Sequence, residues 1–190
     1  MKVIGVILMA IGMLSPEATR AIEHAMVHRF PERPVETHLP QFIKNFEGYR
    51  DTGYYATEGE KERDLVTVGY GSTGKVKHGE KITQEQADQF LKEDIEEAEK
   101  KVDRLVTVPL TDNMRSALVS LLFNTRFDTV ANSQALAALN KGDFREFQKQ
   151  AYGSNLGFVY AGGKKLKGLS KRRTAEKYLF REGMFKYTGF

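Results

Sequence analysis

The chain has 190 residues, 41% of them hydrophobic and 28% charged, with a net charge of +4 and no cysteine. That is enough chain for one well-buried domain with two lobes, and the lack of Cys excludes disulfides, thiolate catalysis and Cys-ligated metals. The basic balance favours polyanions such as nucleic acid, anionic lipid or bacterial cell wall. No stacked-aromatic RNP pattern and no zinc-finger spacing supports nucleic acid. His24, His28, His38 and His78 form no HExxH, so no metal, no cofactor and no nucleic-acid partner is expected.

In chain order, Lys2 precedes an apolar run from Val3 to Leu14, which fits an export signal. The run is shorter than the ~20 residues of a spanning helix. Ser15-Pro16-Glu17-Ala18 is a poor cleavage site, and Gly5, Ala10 and Gly12 weaken the hydrophobicity. Residues 1–15 are therefore expected to be an export or transient membrane-anchor segment, with an apolar helix packed on the domain as the alternative. Pro16 suits a helix start, Glu17 to Arg29 is helix-compatible, and Phe30-Pro31-Glu32-Arg33-Pro34 breaks it, so residues 16–40 read as a short helix and linker.

Residues 41–190 carry the domain. Gln41 to Phe46 predicts a short helix that delivers Glu47. Gly53–Thr57 and Leu65–Tyr70 predict two strands around a polar hairpin loop, 58–63. Thr83 and Gln86 form a capping box for a helix of about twenty residues with Ala87, Phe90, Leu91, Ile95, Ala98, Val102 and Leu105 inward; its acidic face reads as solvated. Thr111 or Asp112 caps the next helix, which buries Met114, Ala117, Leu118, Leu121 and Leu122. Ser133–Asn140, a second capping box at Asp143 and Glu146, a glycine-rich stretch 153–168 and a basic helix near Ser170–Glu182 follow. The class is α+β and mainly helical. A small β-hairpin lobe (41–82) is joined by a long helix to a helical lobe (83–190), with a cleft between the lobes that suits a polysaccharide.

Four segments carry a resemblance. Glu47-Gly48-x-Arg50 comes first. Twenty positions after Glu47 comes Thr67, in Thr67-Val68-Gly69-Tyr70-Gly71-Ser72-Thr73. The third is Leu122-Phe123-Asn124, and the fourth is the run from Ala161 to Glu176. In order and at this spacing, over about residues 41–183, they resemble the phage-type lysozymes of glycoside hydrolase family 24, which cut peptidoglycan glycan strands. The resemblance implies a lysozyme-like fold, Glu47 as general acid, Thr67 as a holder of the attacking water, and Gly71, Phe123 and Asn124 along the cleft. Some phage lysozymes of this kind enter the membrane through a signal-arrest-release segment, which would tether residues 1–15 to the inner membrane and bring the protein from the host cytoplasm toward the periplasm. A monomer is expected.

One departure matters. The family places an Asp or Cys nine positions after the Glu and a Thr six further on. Here those counts fall on Ala56 and, counting back from Thr67, on Lys61, and the Glu-to-Thr spacing is five longer. Glu58 or Asp64 is expected to replace the missing acid, unless no second carboxylate is used; Glu60 and Glu62 read as solvated loop charge. With a second acid the chain is expected to hydrolyse the β-1,4 bond between N-acetylmuramic acid and N-acetylglucosamine. With Glu47 alone it would be a lytic transglycosylase that releases 1,6-anhydro sugar. A non-catalytic wall-binding or membrane-disrupting protein on the same fold is the rival from another class. Glu47 also fits a helix-end carboxylate tied to Arg50 or to a basic residue of the helical lobe, and Phe123 fits the core. Lys164, Lys165, Lys167, Lys171, Arg172 and Arg173 read as a solvated basic face or as an electrostatic guide to anionic wall or membrane.

Overall fold

The computed structural model describes residues 39–153, 158–161 and 163–188. The export segment 1–15 and nearly all of 16–40 lie outside the described residues.

Helix α1 (Leu39–Lys44) begins two residues before the predicted 41–46. The reason is apolar spacing: Leu39 and Ile43, one turn apart, are both buried in the core, at 3% and 0% exposure. Phe46 and Glu47 fall in the turn that closes the helix, where both backbone N–H groups donate to the Ile43 carbonyl, at 2.9 and 3.2 Å. Glu47 is thus anchored to a helix end without belonging to the helix.

A three-stranded antiparallel sheet follows, in the order β1 (Arg50–Tyr54), β2 (Thr67–Gly69), β3 (Ser72–Thr73). Tyr54 pairs with Thr67, and Thr67 with Thr73. β1 has the predicted length but lies three residues before 53–57, and β2 is shorter than the predicted 65–70. Residues 58–63 are no polar hairpin loop: Glu58–Glu62 form a short helix, α2, because Thr57 caps it by accepting the Glu60 N–H on its hydroxyl at 3.1 Å. Gly53 permits a close crossing beneath β1, since a Cβ there would sit 2.6 Å from the Lys77 carbonyl. The β2–β3 turn needs glycine at both Gly69 (φ 63°) and Gly71 (φ 96°).

Helix α3 (Gln84–Leu105) starts at the predicted capping box, with both reciprocal bonds of Thr83 and Gln86 made. Ala87, Leu91, Ile95, Ala98 and Val102 are buried, while Phe90 and Leu105 sit at the edge of the core. Thr111 caps α4 (Asp112–Asn124), which is buried from Ser116 through Leu122 and forms the axis of the helical lobe. Full burial of each Leu or Ile contributes about 1.5–3 kcal/mol, which makes α4 the main contributor. Helix α5 (Phe127–Ala131) was not predicted. Helix α6 (Gln134–Asn140) follows Ser133, and Gly142, at φ 74°, turns the chain out of it. Asp143 caps α7 (Phe144–Tyr152), but the expected second capping box does not form, because the Glu146 side chain bonds to Gln150 and Lys149 instead. The glycine-rich stretch contains a small hairpin, β4 (Tyr160–Ala161) and β5 (Lys164–Lys165). Helix α8 (Lys167–Thr188) then packs along α4 and α7. The architecture is α+β, mainly helical with a small sheet, as expected.

Candidate active site

Glu47 points from the end of α1 toward the helical lobe, where its Oε1 accepts a hydrogen bond from Arg172 Nη1. These residues are 125 positions apart, one just past the end of α1 and the other on α8. The Arg172 side chain is 3% exposed and that of Glu47 is 21% exposed, so the carboxylate meets solvent while its partner does not. Arg172 is fixed on every side. Its guanidinium lies 5.6 Å from the Phe46 ring and 5.7 Å from the Phe123 ring. Its Nε donates to Glu176 Oε1 at 3.2 Å, and its Nη2 donates to the Ser120 carbonyl at 3.2 Å. Ser120 Oγ in turn donates to Glu176 Oε1 at 2.6 Å.

Arg173 is buried beside it. Its Nη2 donates to Glu176 Oε1 at 2.8 Å and to Asn124 Oδ1 at 3.2 Å, and its Nη1 donates to Thr125 Oγ1 at 3.2 Å. Its Nε lies 2.8 Å from Glu176 Oε2, within charge attraction but too poorly angled for a hydrogen bond. Burial pushes the Glu176 carboxyl up, against the pull of Arg173, Ser120 and Arg172, and it pushes the Arg173 guanidinium down. Each group offsets part of the cost of burying the other. The solvated reading of the basic run is therefore corrected for two of its members, Arg172 and Arg173, at 2% and 1% exposure. A signal existed: Arg172 and Glu176 are four apart and Arg173 and Glu176 three apart, the spacings of helical ion pairs.

In front of Glu47 lies a hollow of about 490 Å³ lined by Phe46, Glu47, Asn124, Leu166, Leu169 and Arg172. Gly71 borders the carboxylate from the sheet side, since a Cβ there would lie 3.9 Å from Glu47 Oε2. Glu47, Gly71, Phe123 and Asn124 are thus brought to one place. Phe123 is half-buried under Arg172, and Asn124 is exposed with its amide oxygen held by Arg173. Arg50 makes no ion pair with Glu47; it stacks over Tyr54 at 4.2 Å.

Thr67, 4% exposed, donates its hydroxyl to Glu60 Oε2 at 3.1 Å. The same oxygen accepts the N–H of Ala56 at 2.6 Å. Glu60 is half-buried and held, which corrects its reading as solvated loop charge. Glu58 is exposed in the first turn of α2, and Asp64 accepts from the Tyr55 hydroxyl at 2.5 Å; neither is the partner of Thr67. Among the described residues, no group of three or more His, Cys, Asp or Glu is arranged to hold a metal ion.

A partly exposed acid at the junction of a small sheet lobe and a helical lobe, with a buried hydroxyl across the hairpin, defines a lysozyme-like glycan hydrolase. The model of the Phage lysozyme family matches residues 44–176. The chain is 39% identical to an endolysin of Acyrthosiphon pisum secondary endosymbiont phage 1, over 73% of this chain and 91% of that protein. It is 33% identical to a SAR-endolysin of Enterobacteria phage P21, over 60% of this chain and 70% of the relative. It spans about half the length of two Bacillus phage endolysins, 51% for phage B103 and 52% for phage PZA. The muramidase domain of SpmX from Asticaccaulis excentricus shares the fold with a TM-score of 0.67 and 29% identity, over 78% of this chain and 98% of that one. The chain belongs to the phage lysozyme family, and is a glycoside hydrolase that degrades peptidoglycan.

Proposed function

We propose that the chain is a muramidase that hydrolyses the β-1,4 bond between N-acetylmuramic acid and N-acetylglucosamine and so lyses the host bacterium. The observation that carries this reading is Glu47, a partly exposed carboxyl fixed by a buried arginine at the mouth of a hollow between the lobes. Breaking the bond needs a proton on the leaving oxygen and stabilisation of an oxocarbenium-like transition state. Glu47 supplies the proton. Arg172 holds it in place, which preserves the geometry on which proton transfer depends.

The second reading is lytic transglycosylation, favoured by Ala56 standing where the family has its second acid. Incubation with purified peptidoglycan and mass analysis of the soluble fragments separates the readings. Reducing muramic ends are expected. Anhydro ends would establish transglycosylation, and no fragments from correctly folded protein would favour a wall-binding module.

The apolar run 3–14 and the SAR-endolysin relatives support tethering at the inner membrane with release toward the periplasm. Among the described residues, no helix is long and apolar enough to cross a membrane. Deleting residues 1–15 is expected to abolish lysis by protein made inside cells while leaving cleavage of added walls intact. Unchanged lysis from inside would refute the dependence on that segment.

A further inference from the structure

From its bonds to Thr67 and Ala56, we infer that Glu60, carried on the inserted helix α2, is the carboxylate that activates the attacking water. The inference rests on the hydrolase reading above. An inverting hydrolase deprotonates the attacking water as the glycosidic bond breaks, and the base must be held still near the hydroxyl that positions that water. Glu60 is the carboxylate bonded to Thr67. Its Oε2 is fixed by two donors, the Ala56 N–H at 2.6 Å and the Thr67 hydroxyl at 3.1 Å. Its Oε1 accepts no hydrogen bond among the described residues, and is the oxygen available to a water. The Thr67 hydroxyl, which donates its hydrogen bond to Glu60, keeps its lone pairs to accept a hydrogen bond from that water. The β2–β3 hairpin that begins with Thr67 also carries Gly71, whose ideal Cβ position lies 3.9 Å from Glu47 Oε2, so one hairpin links the neighbourhoods of the two carboxylates.

Helix α2 explains how the side chain reaches this position. Thr57 caps it by taking the Glu60 N–H, which fixes the backbone of Glu60 from one side while Ala56 and Thr67 fix its carboxylate from the other. Glu58 and Glu62, on the same short helix, are exposed.

The step balances as follows. Glu47 gives its proton to the glycosidic oxygen as the C1–O bond breaks. A water oxygen forms the new bond to C1, and its proton passes to Glu60 Oε1. Glu60 then returns a proton to solvent and Glu47 regains one.

The test compares wild type, Glu47→Gln, Glu60→Gln, Glu60→Ala and Glu62→Gln, all as full chains, on purified peptidoglycan, with kcat, KM and thermal midpoints measured together. Glu60→Gln is expected to lose roughly a hundredfold or more in kcat, with KM and melting little changed, while Glu62→Gln stays near wild type. Sodium azide is expected to restore turnover to Glu60→Ala and yield a glycosyl azide, because a small anion needs no base. Full turnover in Glu60→Gln beside an inactive Glu47→Gln would overturn the assignment alone. So would a loss in Glu60→Gln that appears only as lower melting and higher KM, with no azide rescue of Glu60→Ala. Retained activity in Glu47→Gln would instead overturn the hydrolase reading beneath it.

Discussion

Replacing Glu47 by Gln will lower glycan cleavage by roughly a hundred- to ten-thousandfold, the range set by losing a positioned general acid. The amide has the same shape, and its carbonyl oxygen can still accept the Arg172 Nη1–H. Arg172 also keeps its bonds to Glu176 and to the Ser120 carbonyl. The thermal midpoint should therefore move by only a few degrees. Glu47→Asp is the companion variant: it keeps an acid but withdraws it by one methylene. A misplacement of about 1 Å can cost about a hundredfold, so Asp should be impaired even though it can titrate. Wild-type turnover in the Gln variant would show that the proton comes from elsewhere.

The second large effect is on stability. Glu176 is 0% exposed and is the carboxylate that faces both Arg172 and Arg173. Glu176→Ala leaves the buried Arg173 without its counter-charge, leaves Arg172 with Glu47 as its carboxylate partner, and takes away the acceptor of the Ser120 hydroxyl. Breaking a buried pair in this way costs about 3–5 kcal/mol. At ~2–4 °C per kcal/mol for a domain of this size, the midpoint should fall by roughly 6–20 °C. Adding Arg173→Met to Glu176→Ala removes the more deeply trapped charge and should restore a good part of the loss. If the single variant melts like wild type, the cluster carries little of the stability. If the double variant melts lower still, packing rather than charge is what Glu176 supplies.

What the sequence made legible was local. The capping box of Thr83 and Gln86 and the apolar spacing of α3 depend on neighbours three or four residues away, and both formed as expected. Glu47 and Thr67 were singled out because a glycine-punctuated hairpin follows a short helix. The insertion hid the rest. Once Thr57 could cap a turn, Glu58–Glu62 became helical, and Glu60 rather than Glu58 or Asp64 turned toward Thr67. Strand β1 ends at Tyr54, so strand alternation does not carry Glu58 onto the face of Ala56. Arg172 and Arg173 were hidden for another reason: they look like members of a basic surface run, and their partner Ser120 or Asn124 lies 52 or 49 positions away. Helices as short as α5, and hairpins as short as β4–β5, fall below the length at which a hydrophobic period can be seen.

The link between Glu47 and Arg172 spans 125 positions, and it has a consequence for how the enzyme comes into being. The acid is among the first described residues to leave the ribosome, and its clamp is among the last. Until α8 has been synthesised and docked along α4, the carboxyl is bound only through the turn that closes α1. The Glu47–Arg172 contact therefore needs the closure of a long chain loop, a step that is slow when contacts are far apart in sequence. A nascent or partly unfolded chain can carry every helix of the long central part and still lack this contact, so the contact reports completion of the fold.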